Sequence, residues 1–331
     1  MNKWQELADK VIQGYEINET EALNILQSSD DDILNLLDGA FQIRQHYFGK
    51  KVKLNMIIST KTGFCPENCG YCAQSMSAST AIEKYTMMSK NQITDGAKQA
   101  NELDSGTYCI VASGRGPTNR ELDIVAGAVK EIKEQYPDMR VCACLGILKE
   151  GQAEKLKEAG VDRYNHNINT SKAHHPSITT SHTYDDRVST VNKAKEAGIS
   201  PCSGVIVGMK ESLNDIWEMG KALKELNADS IPINFLHAID GTALEGVNEL
   251  NPLYCLKVLA FFRYMIATKE IRVAGGREEN LRSLQPLALF AANSIFVGDY
   301  LTTSGQEETR DHQMLRDLGF EIDYTNEDVP V

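Results

Sequence analysis

The sequence predicts an α/β fold, a (β/α)8 TIM-type barrel carrying an N-terminal helical extension, and three observations point there. From residue 53 onward, short β-branched or apolar runs alternate with longer helical stretches, the signature of βα units feeding a parallel sheet. About eight such units fit into roughly 260 residues, the usual size of a closed barrel. No G-x-G-x-x-G follows an early strand, so the competing fold, an open doubly wound sheet with a dinucleotide crevice, lacks its fingerprint. The chain has 331 residues, 42% hydrophobic and 24% charged. Those proportions exclude global disorder, and the length admits two domains or one large barrel.

In order along the chain, residues 1–50 read as an N-terminal helical cap. Trp4, Leu7, Val11 and Ile12 share one helical face, and a second stretch is capped near Thr20. A third runs from about Asp31 to Phe48, with acidic residues at its start and Gly49 as its stop. The barrel is expected over 51–319, with strands at 53–58, 107–112, 140–145, 163–168, 200–207, 230–236, 271–274 and 294–297. Intervening helices fall at 149–159 before Gly160, at 184–197 before Gly198, and at 212–226. The last dozen residues, 320–331, are acidic and are expected to form a loosely held tail.

A formal net charge of -12 disfavours non-specific binding to nucleic acid or to an anionic membrane surface. The longest apolar run, 287–297, is too short for a membrane span and contains Asn293 and Ser294. The opening MNKWQELADKVIQ mixes charges into a helical pattern and lacks the apolar stretch of a signal peptide. The expected location is therefore cytoplasmic, where thiols stay reduced. Eight cysteines are too few for a disulfide framework.

Three of them, Cys65, Cys69 and Cys72, are spaced C-x3-C-x2-C in TKTGFCPENCGYCAQS, directly after the first strand. Gly63, Pro66, Asn68 and Gly70 make this a loop in which three thiolates can converge. Thiolates select zinc or iron–sulfur clusters. Structural zinc wants a fourth ligand close by, and no Cys or His occurs between Ala73 and Tyr108. A cubane cluster ordinarily takes four cysteines, so three leave one iron open to a substrate or cofactor. The loop falls where barrel active sites form, at the C-terminal ends of strands. The blander readings are zinc completed by a distant residue, or unliganded buried cysteines.

The spacing, with Tyr71 just before the last cysteine, resembles the signature of the radical S-adenosylmethionine enzymes. That resemblance implies a [4Fe–4S] cluster on Cys65, Cys69 and Cys72, its free iron chelated by S-adenosylmethionine beside Tyr71. It also implies reductive cleavage of the sulfonium to a 5′-deoxyadenosyl radical.

Cys109, Cys142 and Cys202 fall in three other expected strands, TYCIVAS, RVCACLG and SPCSGVIVG. A single strand cysteine usually packs as a small hydrophobe. Three in separate strands of one barrel point to a second metal site. Cys144 shares a strand face with Cys142, so period alone leaves the two undistinguished, and Cys255 in a helical stretch reads as core. Arg272 is a charge inside an apolar strand, a residue rarely buried unpaired.

A wider resemblance covers about residues 50–320 and rests on TGFCPENCGYCAQS, YNHNINTS, CSGVIVGM, PINFLHAIDGT, IRVAGGRE and AANSIFVGDYLTT. Together these are similar to the sulfur-transferring branch of the same family, which converts dethiobiotin to biotin in the last step of biotin biosynthesis. The resemblance implies a [2Fe–2S] cluster, the sulfur donor, held by Cys109, Cys142, Cys202 and Arg272, which selects Cys142 over Cys144. A guanidinium has no acceptor lone pair. A second role for Arg272 is therefore to balance negative charge and orient the sulfides. The same resemblance implies two molecules of S-adenosylmethionine per biotin, a flavodoxin- or ferredoxin-type electron donor, and a homodimer.

Within Tyr164-Asn165-His166-Asn167, alternation sends Asn165 and Asn167 to one face. Their amides suit the ureido ring of dethiobiotin and the ribose of adenosylmethionine; a strand-end cap is the plainer role. By resemblance Asn167 touches both molecules and Asn234 reaches the ureido group. One common form of the family pattern, YNHN-x-D-T-S, has a carboxylate where this chain has Asn169, an amide that can still donate to and accept from a ribose diol. Arg187 is a partner for the methionine carboxylate, or else a solvated surface arginine. His166, His174, His175 and His182 read as packing or loop residues, and the glycine of VIVGM suits close approach of adenine to the backbone. Rival readings are another radical enzyme such as a methylase or lyase, an iron–sulfur redox sensor, and a zinc hydrolase.

Overall fold

A computed structural model describes residues 2–324. The barrel strands, in chain order, begin with β1 (Lys51–Lys61), β2 (Thr107–Ala112), β3 (Arg140–Cys144) and β4 (Arg163–Asn165). They continue with β5 (Ser200–Cys202), β6 (Val205–Val207), β7 (Ser230–Phe235), β8 (Glu270–Val273) and β9 (Ser294–Phe296). Neighbours are parallel throughout, and β1 pairs with β9 through Lys53↔Ser294 and Leu54↔Ile295, which closes the ring. Because β5 and β6 occupy one stave, the closed barrel has the expected eight positions among the described residues.

Splitting of the fifth stave is a departure from the single strand expected over 200–207. Cys202 registers with Ser230 and Val205 with Ile233, which places Gly204 opposite Pro232. Proline has no N–H to donate, so the ladder lapses there. The two backbones also press together: a Cβ at Gly204 would stand 1.9 Å from the Pro232 carbonyl oxygen. Neither atom belongs to a side chain that can swing away. Gly204→Ala is expected to destabilise the fold by ~1–3 kcal/mol, read as a lowered midpoint in urea or thermal unfolding. The fourth strand also stops early, at Asn165 rather than 168, and pairing resumes only as an isolated parallel bridge between Asn169 and Val205.

Helices α1 (Lys3–Ile12), α2 (Glu19–Leu26) and α3 (Ile33–Phe48) precede the barrel. The cap of α2 is Asn18, whose side chain and that of Glu21 form a capping box, rather than Thr20. Around the barrel run α4 (Lys90–Glu102), α5 (Asn119–Gln135), α6 (Gln152–Ala159), α7 (His175–Ile178) and α8 (Tyr184–Glu196). They are followed by α9 (Leu213–Glu225), α10 (Pro252–Met265), α11 (Arg277–Leu281), α12 (Gln285–Ala288) and α13 (Glu308–Asp317). Four outer helices open on capping boxes: Ser89 with Gln92, Thr118 with Glu121, Thr183 with Asp186, and Ser212 with Asp215. Each box satisfies two orphan donors where a βα loop must end, so the loops above the barrel stop at fixed points.

The N-terminal helices pack on α10, which explains why every residue of that helix from Cys255 to Met265 is buried. Tyr264 Oη donates to Trp4 O at 2.9 Å and lies where a Cβ at Gly39 would sit. Lys257 Nζ donates to Ser28 O at 2.5 Å and pairs with Asp30 at 2.6 Å. The fully buried Arg44 binds backbone carbonyls of Gly49, Lys51 and Ala292, joining the end of α3 to both edges of the ring closure.

Beyond α13 the expected loose tail starts as structure. Phe320 is buried, and β10 (Glu321–Ile322) pairs with Lys51 and Val52 of β1. The rest of that tail, from 325, lies outside the described residues. Among the described residues no helix is long and apolar enough to cross a membrane.

Candidate active site

The loop that follows β1 is built to hold its three cysteines together. Phe64 takes a left-handed φ of 54, which turns the chain out of the strand. Cys65 N–H then donates to Gln74 O (3.2 Å), Met76 N–H to Cys65 O (2.8 Å) and Cys72 N–H to Cys69 O (3.0 Å). The residues between the cysteines fasten the loop to the segment after β4. Asn68 Oδ1 accepts from Thr179 Oγ1 and from the N–H groups of Thr180 and Ser181, at 2.9 to 3.1 Å. Gly70 N–H donates to Ile178 O at 2.8 Å. The buried Glu67 accepts from Ser181 Oγ (2.5 Å) and Arg115 (3.2 Å) and touches His182 Nδ1. Burial opposes the Glu67 charge, but these three partners outweigh it and hold the carboxyl below its ordinary range.

Burial pushes the Cys72 thiol up to about 11, and the neighbouring Cys69 and Cys65 add to the shift. Cys65 is likewise raised, mainly by burial. Thiols that raise one another's pKa share a small space, and a metal binding there must displace their protons. Thiolates brought together in this way suit an iron–sulfur cluster, in which each thiolate holds its own iron.

One cavity of about 410 Å³ runs from this loop into the barrel. Cys65, Cys69, Tyr71 and Cys72 line it at the mouth, while Cys109, Cys142 and Arg272 line its depth. Asn165, Asn167, Asn169, Arg187 and Asn234 line it too, so each of these expected residues meets the same space.

At depth, Cys109 and Cys142 stand directly opposite on β2 and β3. Contact with the Cys109 thiol, and then burial, moves Cys142 well above the ordinary thiol range. Contact with Cys142, and then burial, does the same to Cys202, which is fully buried and does not itself line the cavity. Cys142 is thus the thiol that joins the other two. Cys144, which the strand period left equivalent to it, sits one pleat higher, opposite Val111 and half-buried. Cys255 is core, as expected of its helix. Arg272 donates from Nη2 to Glu270 (2.6 Å) and Ser230 Oγ (3.0 Å), and from Nε to Ser294 Oγ (3.2 Å). Burial works against its charge, but Glu270 first and the Cys202 and Cys109 thiols next outweigh it, so its pKa rises. Three protonatable thiols beside a fixed guanidinium are a donor set that fits an iron–sulfur group, whose thiolates and sulfides are anionic.

Between the two sets, Asn165 Nδ2 donates to Asn167 Oδ1 (3.0 Å) and to Cys202 Sγ (3.2 Å). Asn167 Oδ1 also accepts from Gly204 N–H at 3.0 Å. Asn234 accepts from Gly275 N–H and donates to Val205 O, which leaves one of its two amide protons for a ligand. These amides therefore cap backbone and face the cavity at once.

Arg187 is buried, which rules out a solvated surface arginine, and donates to Asn167 O at 3.0 Å. With its amide oxygen turned toward them, Asn169 accepts from Tyr71 Oη at 2.5 Å and from both Arg187 Nη atoms at 3.1 and 3.2 Å. A neutral oxygen can thus occupy the position of the family's carboxylate.

Of the histidines, His174 and His175 bind loop carbonyls as expected. His166 and His182 instead line the cavity, and His182 pairs with Glu67. Sequence reasoning read Asn68 only as a loop former and passed over Glu67, Arg115, Arg163 and Glu270. Glu67 was legible as a polar residue held between ligand-spaced cysteines. Arg163 and Glu270 meet across 107 residues and carry no local signal.

Comparison with known proteins adds three findings. Residues 59–223 match the radical SAM superfamily, and residues 232–321 match the biotin and thiamin synthesis associated domain. The biotin synthase of Bacillus licheniformis is 68% identical, covering 99% of this chain and 98% of the relative. That of Halalkalibacterium halodurans is 66% identical, covering 98% and 97%. Among solved structures, a methylornithine synthase superposes with a TM-score of 0.85 at 20% identity, covering 96% of this chain and 97% of that one. An FeFe-hydrogenase maturase from Carboxydothermus hydrogenoformans gives a TM-score of 0.82 at 15% identity, covering 97% and 79%. Both structures share the fold.

Proposed function

The chain belongs to the biotin synthase family within the radical S-adenosylmethionine superfamily, and on that premise we propose how its own residues divide the work of inserting sulfur into dethiobiotin. When bound, a [4Fe–4S] cluster with S-adenosylmethionine supplies hydrogen-abstracting radical chemistry, and a [2Fe–2S] cluster supplies sulfur. Unactivated C–H bonds resist acid–base attack, so the protein's part is placement and exclusion of water.

Cys65, Cys69 and Cys72 hold the first cluster at the mouth. Cys109, Cys142 and Cys202, with Arg272, hold the second at depth. Tyr71, Asn167, Asn169 and Arg187 face S-adenosylmethionine. Arg187 offers charge to its carboxylate, and Asn169 keeps that guanidinium in place. Asn165, Asn167 and Asn234 present amides to the ureido ring of dethiobiotin, a donor and acceptor pattern that amides match. Supporting this division is one observation: a single cavity joins both cysteine sets and passes the amides on the way. A substrate lying between them would have a hydrogen acceptor on one side and a sulfur source on the other. Two molecules of S-adenosylmethionine are consumed per biotin, one for each hydrogen removed. A flavodoxin- or ferredoxin-type protein supplies electrons, and the working form is a cytoplasmic homodimer.

The test is an anaerobic assay of the reconstituted chain with dethiobiotin, S-adenosylmethionine and reductant, read by mass spectrometry, together with an iron count. Biotin with about six irons per chain is the expected result. About four irons with 5′-deoxyadenosine but no biotin would make the deep cysteines core packing and overturn the division of roles.

A further inference from the structure

Beneath the deep cysteines lies an ion cluster in which Arg272 is joined by two charged residues that the proposed roles do not use, Arg163 and Glu270. Glu270 at the start of β8 reaches across the lumen to β4, where Oε2 accepts from Arg163 Nη1 at 2.6 Å. Its Oε1 accepts from Arg272 Nη2 at 2.6 Å and from Ser230 Oγ at 3.0 Å. The three charged side chains are at most 3% exposed. A carboxylate so deep needs compensation, and it has it: burial opposes its charge, while Arg163, Arg272 and then Lys53 outweigh that and hold the carboxyl well below its ordinary range. Arg163 stands in register with Cys142 on the neighbouring strand, and Arg272 lines the same cavity as Cys109 and Cys142. Glu270 touches no thiol in this network; its influence passes through the guanidinium groups.

We propose that Glu270 is a positioning and charge-setting residue for the deep site: by bridging Arg163 and Arg272 it fixes the Arg272 guanidinium and sets the reduction potential of the iron–sulfur group held by Cys109, Cys142 and Cys202. The inference rests on the reading of those cysteines as an iron–sulfur site. Two physical points carry it. Potentials of such groups follow nearby net charge and outer hydrogen bonds, and charges act most strongly in a water-poor interior.

The sign of the effect gives the test. In the full chain with both clusters reconstituted, the deep group's potential is measured by titration followed through absorbance and EPR, with iron content in parallel. Glu270→Gln removes negative charge and is expected to move the potential upward. Arg163→Gln removes positive charge and is expected to move it downward. Glu270→Asp keeps the net charge and is expected to stay near the parent value. The double variant Arg163→Gln with Glu270→Gln also keeps the net charge but takes the carboxylate from the buried Arg272, so its potential is expected near the parent value with less second cluster bound. Retention of the second cluster in Glu270→Asp, with its loss in Glu270→Gln, also supports the role. Shifts of the same sign in both single variants, no shift in either, or a double variant that binds the second cluster as fully as the parent would overturn it. A parent chain that binds only the first cluster would instead overturn the reading on which the inference stands.

Discussion

Cys65→Ala reduces 5′-deoxyadenosine formation to background and removes about four of the roughly six irons per chain. No other side chain in the loop can replace the lost ligand. Cys65 is pinned on both sides by backbone hydrogen bonds to Gln74 and Met76, so the loop cannot slide to bring another donor into place. Glu67, the nearest alternative donor, is already engaged by Ser181, His182 and Arg115. The matched control is Cys255→Ala. That thiol is buried among α10 contacts, and burial pushes its pKa up to about 12. Its removal should cost about 1 kcal/mol of stability and leave the chemistry intact. Product analysis by mass spectrometry and iron assay reads both variants. Normal 5′-deoxyadenosine from Cys65→Ala would sink the assignment of the first cluster.

A complementary result is expected at depth. Cys202→Ala lowers biotin formation by roughly 100-fold or more, at the upper end of or beyond the effect of losing a metal's outer partner, while 5′-deoxyadenosine still forms. The separation follows from position. Cys202 is fully buried on β5, where it touches Cys142 and receives a hydrogen bond from Asn165, whereas the mouth cysteines sit in the loop after β1. Cleavage of S-adenosylmethionine should therefore continue without productive sulfur transfer, and the ratio of 5′-deoxyadenosine to biotin should rise. A ratio unchanged from the parent would mean the two sites do not act separately.

The barrel was legible because its signals are local. Alternation between β-branched runs and glycine-stopped helices identified all eight staves, with most boundaries close. Where the reading failed, a neighbour in space had decided. The lapse at Gly204 is caused by Pro232 on the next strand, and the shortened fourth strand resumes pairing only where Asn169 bridges to Val205. At the candidate site, cysteine spacing and the Asn165–Asn167 alternation were readable for the same reason: each lies within one short segment. Cys142 could not be told from Cys144 by period, since both face inward, and only the register against Cys109 separates them. Glu270 and Arg163 were invisible because their partnership exists only across the closed ring.

The packing of α1, α2 and α3 on α10 has a consequence for how the molecule is made. Helices α1 to α3 are synthesised before their main partner and carry apolar faces whose cover, α10, ends at Met265, over 200 residues after Phe48. At translation rates of ~5–20 residues per second, that wait is of order tens of seconds. Throughout it, Leu36, Leu37 and Ile43 must be shielded by other means. Removing those helices would not spare the chain this problem, because it would uncover the face of α10 they bury, and with it the partners of Lys257 and Tyr264.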